Sequence, residues 1–197
     1  MNQAVHNKSI SFIWSITDDC LRDVYVRGKY RDVILPMVVL RRLDALLEPT
    51  KEAVLEELAF QRDEAKFNIL DENGLRQASG YVFYNTSQWT LQRLHNTATN
   101  NQQILQANFE DYLNGFSENV KEIIEKFKLK THVAHMASKD VLLNVLEKFL
   151  VSSQKVKLVI TLSNLILTQG QVILKLCSSQ NPQVTIIPHQ LFLKNWM

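Results

Sequence analysis

Residues 31–49, RDVILPMVVLRRLDALLEP, decide how the chain is read. Ile34, Leu35, Val38, Val39, Leu43, Leu46 and Leu47 recur at three- and four-residue spacing, which predicts a long helix with these side chains inward. Pro36 falls within its first turns, so the helix either starts near there or bends. Pro49 marks its end. TKEAVLEELAFQRDEAKF (50–67) then reads as a second helix, capped by Thr50 and with an acid-rich first turn.

Upstream, SFIWSITDDCLRDVY (11–25) carries Phe12, Ile16 and Leu21 on a helical stripe after a cap at Ser9, and Gly28 breaks the chain in RGKY. Downstream, DENGLRQASGY (71–81) reads as a short, turn-rich stretch. VFYNTSQWTLQRL (82–94) suits extended structure before a short helix. NNQQILQANFEDYLNGF places Ile104, Phe109 and Leu113 on one face, with Gly115 suited to a C-cap. SENVKEIIEKF offers Ser117 as cap and Val120, Ile123, Ile124 and Phe127 inward. SKDVLLNVLEKFL repeats the design with Ser138 as cap and Val141, Leu142, Val145, Leu146 and Phe149 inward. The expectation is a mainly α chain: a multi-helix, bundle-like domain over residues 1–150 and an irregular tail over 151–197. In that tail KVKLVITLSNLILTQGQVILKL allows a short hairpin around Gln169–Gly170, helices, or neither.

Charge sharpens the division. All 20 acidic residues lie between Asp18 and Glu147, and the last 50 positions hold none. The first 147 residues carry 17 Lys and Arg, so the net +2 arises entirely from the tail. Bulk basicity is therefore no argument for nucleic acid. A local cluster is: Arg22, Arg27, Lys29, Arg31, Arg41 and Arg42, interrupted by Asp23 and Asp32. It can face phosphate or form a solvated helix face.

Other chemistry is weak. His132 and His135 would share a helix face, but no third metal ligand stands nearby, so a surface or half-buried pair is expected. Cys20 and Cys177 are too few and too far apart for a disulfide framework, and Cys20 reads as a core thiol. Asp18–Asp19 reads as a solvated pair. Trp14, Tyr81, Phe83, Tyr84 and Trp89 have faces that suit base stacking, but core packing is the more ordinary use. The five glycines never occur as G-x-G. With no signal peptide and no apolar span, a cytoplasmic protein with no membrane contact is expected.

The segments FIWSITDDCLRDVYVRGKYRDVILPMVVLRRLDALLEPTKEAVLEE, GYVFYNTSQWTLQRL, LNGFSENVKEIIEKF and KDVLLNVLEKF resemble, in order, the N-terminal helical domain of type I restriction-modification methyltransferase (M) subunits. The resemblance runs from about Ser11 to Phe149. It implies a helical domain preceding a methyltransferase domain that moves a methyl group from S-adenosylmethionine to adenine N6. It also implies DNA, a specificity (S) subunit and a restriction (R) subunit as partners. The family's F-x-G-x-G and N-P-P-F motifs are missing, and Asn181-Pro182 lacks the second proline and the aromatic. No cofactor, metal or catalytic residue is therefore expected in this chain, and no methyl transfer by it alone. Arg27, Lys29, Arg31, Arg41 and Arg42 are the expected DNA contacts.

A frameshift near residues 150–160 would account for the acid-free tail. Read one frame over with permitted codons, Gln180 to His189 can spell a family-like Gly-Asp-His-Tyr-Thr-Pro. The alternatives are a short protein with its own C-terminal module, or a pure interaction module that binds the S subunit, or forms a homodimer through the apolar tail, without touching DNA.

Overall fold

The computed structural model describes residues 15–65, 69–98 and 101–151. Expectations placed on Ser9, Phe12, Trp14 and the tail from 152 onward, including Cys177 and the hairpin around Gly170, lie outside them. The described residues form eight α-helices: α1 Tyr30–Leu47, α2 Lys51–Ala59, α3 Glu72–Ser79, α4 Leu91–Asn96, α5 Gln102–Asn114, α6 Glu118–Lys126, α7 Leu129–Ser138 and α8 Leu142–Val151. Among them there is no strand, only one isolated bridge between Asn85 and Phe116.

Helix α1 is the axis of the bundle. Val33, Met37 and Val38 are fully buried, Ile34, Val39, Leu40, Leu43 and Leu47 nearly so, and Leu35 and Leu46 only partly. Of the seven residues expected inward, Leu35 and Leu46 are therefore corrected, and Val33, Met37 and Leu40 join the core. The helix is covered on most of its circumference, which is what apolar residues on several faces require. It runs through Pro36 without breaking. Proline has no N–H to give the Asp32 carbonyl one turn earlier, a loss tolerated near the helix start. Helices α7 and α8 pack on α1, and α4, α5 and α6 close the bundle around them. Phe109, Tyr112 and Phe116 meet edge-on in its centre, with ring centroids 6.1 and 5.1 Å apart.

A smaller lobe is built from α2 and α3, whose own apolar cluster joins Val54, Leu58, Leu75 and Tyr84. The turn-rich reading of residues 71–81 is corrected here. The Asp71 carboxylate accepts from the N–H groups of Asn73 and Gly74, and Gly80 ends the helix at φ 71°, so both punctuation marks enclose a real helix. Gly115 does follow α5, but at φ −71°. Glycine is required there by close approach, because a Cβ would lie 2.6 Å from the backbone nitrogen of Ser87.

Three expected caps behave differently. Thr50 precedes α2 but gives its hydroxyl to the Ser79 carbonyl, 3.0 Å away, tying the lobe to its own base. The Ser117 hydroxyl donates to the Asn119 side chain. Ser138 ends α7, bonding back to the His135 carbonyl, and α8 starts only at Leu142. Ile104 is 52 % exposed, and Leu105 and Tyr112 take its place in the core.

Candidate functional site

The segment from Arg22 to Lys29 leads into α1, whose first turn carries Arg31. Three contacts fasten it to α7, more than 100 residues later in sequence. The Tyr25 hydroxyl donates to the His132 carbonyl at 3.4 Å, His135 Nε2 lies 3.3 Å from the Val24 carbonyl, and the Tyr25 ring meets His135 edge-on at 4.8 Å. The histidine pair is thus half-buried packing beneath a basic segment. Burial pushes the His132 imidazole down, with Asp32 opposing and His135, Lys29 and Lys128 adding to the effect. Lys128, exposed at the turn into α7, acts on the same imidazole as Lys29. Nothing in the linear sequence connects Lys128 to Lys29; only the fold does.

The exposed cations of this face are weakly committed. Arg22 pairs with Asp18 at 2.7 Å, while Lys29 and Arg31 share Asp32 at 3.4 and 3.6 Å. Exposed pairs of this kind contribute at most about 1 kcal/mol, so an incoming phosphate competes with them readily. Arg27, among the described residues, makes no ion pair and no side-chain hydrogen bond. The segment also borders a wide, open surface depression lined by Arg22, Asp23, Val24, Tyr25, Val26, Arg27 and Tyr30.

Arg41 and Arg42 do not join this face. Arg41 is 7 % exposed and faces Asp44, its Nη1 3.4 Å from the carboxylate. A guanidinium enclosed in this way has no route to a DNA backbone, and its assignment as a phosphate contact is corrected. The i, i+3 spacing of Arg41 and Asp44 was the available sequence signal. Arg42 is half-buried two turns or more beyond Arg31.

Around Asp44 lies a buried polar network. Its carboxylate accepts from the Tyr112 hydroxyl at 2.9 Å and the Leu91 N–H at 3.2 Å. Burial raises its pKa, with both bonds and Arg41 opposing. Lys51, 5 % exposed, donates to the backbone carbonyl and side-chain oxygen of Asn85 at 3.1 and 3.0 Å. Burial pushes this ammonium down to about 8. Asn85 donates to the Tyr112 carbonyl, and Ser87 donates to Asp111 at 2.8 Å. A cavity of about 10 Å³, room for about one water, lies among Asp44, Lys51, Asn85, Trp89 and Tyr112. The network fixes residues 81–90, which have no ladder of their own, against α1, α2 and α5. It is an internal clamp and has no room for a substrate.

The remaining candidates resolve into packing. Phe83 and Tyr84 are buried, Tyr81 stacks on Phe83 at 5.3 Å, and Trp89 packs partly buried on the core. Cys20 is a buried thiol whose pKa burial raises, the opposite of nucleophile activation. Asp18 and Asp19 go to separate surface partners, Arg22 and Lys148. Among the described residues Gly28 lies in a turn, Gly74 inside α3, and Gly80 and Gly115 at the ends of α3 and α5.

Compared with known families, residues 10–149 match the model of the HsdM N-terminal domain. No curated protein and no solved structure matches the chain.

Proposed function

Because the chain belongs to the HsdM N-terminal domain family, we propose that it is the N-terminal region of an M subunit of a type I restriction-modification system, contacting the DNA backbone and its partner subunits. Full-length members of such a family use S-adenosylmethionine. We place this region's part in positioning, and no methyl-transfer step is assigned to it.

The observation that carries the DNA reading is the basic end of the bundle. Arg27, Lys29, Arg31 and Lys128 are exposed together, in two segments that only the fold brings side by side. Phosphate contacts are independent of base sequence, so this surface would hold duplex DNA without selecting a site. Site choice is left to an S subunit. An electrophoretic retardation series with the full chain and unrelated duplexes tests this. Equal retardation of all duplexes at low salt, lost when Arg27, Lys29 and Arg31 are changed to Gln, is expected. Retention of binding by that variant contradicts it.

One observation favours subunit contact on the opposite side of the charge distribution. The lobe exposes Glu52, Glu56, Asp63, Glu64 and Glu72, and DNA would repel it. It also exposes Phe60 (48 %) and Ile69 (86 %) beside the paired hydrogen bonds between Gln61 and Asp71. This lobe is the surface we assign to a protein partner. Phe60→Ser together with Ile69→Ser weakening capture of an S subunit, with DNA retardation unchanged, is the expected result. Unchanged capture removes the assignment.

A further inference from the structure

Between the segment that carries Arg27 and Lys29 and helix α7 lies a clasp of three side chains. The Tyr25 ring centroid is 5.9 Å from that of His132 and 4.8 Å from that of His135, and the Tyr25 hydroxyl donates to the His132 carbonyl. We propose that His132 is a proton switch for the basic face, so that DNA is held more tightly as pH falls through the histidine range. The inference rests on the DNA reading and adds its regulation.

The geometry gives the two imidazoles different parts. His135 is an anchor. Its Nε2 lies 3.3 Å from the Val24 carbonyl, an oxygen that can only accept, so this nitrogen carries a proton. His132 is half-buried, and the charges that act on it are those of the face itself. They are Lys29 from the segment before α1, Asp32 from the first turn of α1, and Lys128 and His135 from the start and body of α7. Asp32 is also the carboxylate that Lys29 and Arg31 share. In the free protein, burial and the neighbouring cations favour a neutral imidazole, and Asp32 opposes them.

A phosphate on Lys29 or Lys128 changes that balance. It brings negative charge to two of the cations that act on His132, and an opposite charge nearby favours the imidazolium. The sign follows from linkage. Well above the histidine range, free and DNA-bound protein both carry a neutral His132, and affinity is flat. As pH falls, the bound form takes up its proton first and affinity rises. The rise ends where the free form is protonated too. A difference of about 0.5–1 pKa unit between the two forms makes it about threefold to tenfold.

Fluorescence anisotropy of a labelled duplex with the full chain, at one low salt concentration and between about pH 5.5 and 8, reads this rise. The unaltered chain should bind at least about threefold more tightly at the acid end. His132→Gln, which cannot take up a proton, should abolish the increase. Asp32→Asn removes the group that opposes the neutral form and should move the increase to lower pH. Circular dichroism at both ends of the range separates a change in binding from unfolding. A pH-independent affinity, an increase that survives His132→Gln at full size, or one that Asp32→Asn leaves in place overturns the proposal and leaves the DNA reading standing. Absence of duplex binding at every pH removes the DNA reading and this inference with it.

Discussion

Replacing Lys51 with methionine should change how the stability of this protein responds to alkali. The ammonium is 5 % exposed and its two acceptors both belong to Asn85. Its pKa is lowered from 10.5 to about 8 in the folded chain. A lowered lysine means that, between those values, the unfolded chain holds more protons than the folded one. Stability must then rise with pH across that window, and the gain is absent below about pH 8. From pH 7 to pH 9.5 the linkage relation gives a rise of about 2 kcal/mol. Tyrosines with raised pKa values, such as Tyr25 at about 12, act in the opposite sense only above about pH 10. Lys51→Met removes the titrating group but keeps an unbranched side chain beside the small cavity it lines with Leu47 and Trp89. Urea unfolding of both proteins at pH 7.0, 8.0, 9.0 and 9.5 measures the effect as the difference between two profiles. The native advantage should grow by about 2 kcal/mol over that range. Parallel profiles would show that Lys51 is hydrated and that the clamp on residues 81–90 is not dry.

Three further outcomes follow from the same packing. Gly115→Ala drives a Cβ to 2.6 Å from the Ser87 backbone, so the loop or α5 must move, and a loss of about 1–3 kcal/mol in chemical denaturation is expected. Tyr112→Phe leaves the buried Asp44 carboxylate with one donor fewer. It should cost about 1–3 kcal/mol in chemical denaturation. His132 has a lowered pKa, so its neutral form is the one the fold favours. Its contribution is present above the ordinary histidine range and lost as pH falls through it, and His132→Gln should flatten the stability profile between about pH 5 and 7.

Local grammar explains which parts of the fold were legible. The apolar spacing of α1, α6 and α8 is regular enough to read directly, and most of their expected inward residues are buried, with Leu35, Leu46, Phe127 and Val141 only partly so. Helix α3 was missed because Asn73, Gly74 and Ser79 weaken its interior, although Asp71 and Gly80 mark both ends. The Ser138 cap was misread because Lys139 and Asp140, the latter at φ 57°, extend the turn before α8. Burial of Arg41 depends on α1 being surrounded, which no single helix pattern reveals. The candidate site was legible only in half. Arg27, Lys29 and Arg31 are close in sequence, whereas Lys128, His132 and the Asp44–Lys51–Asn85–Tyr112 network are joined by contacts across 27 to more than 100 residues.

The central claim is that the basic end of the bundle holds DNA through its phosphates. Its most direct test is the dependence of duplex affinity on salt, from 50 to 200 mM, for the full chain and for the variant with Arg27, Lys29 and Arg31 all changed to Gln. Each phosphate contact contributes about 0.9 to the slope of log affinity against log salt, so the variant should be weaker at low salt and its slope shallower by roughly 3. Equal affinities with equal slopes would contradict phosphate contact through Arg27, Lys29 and Arg31.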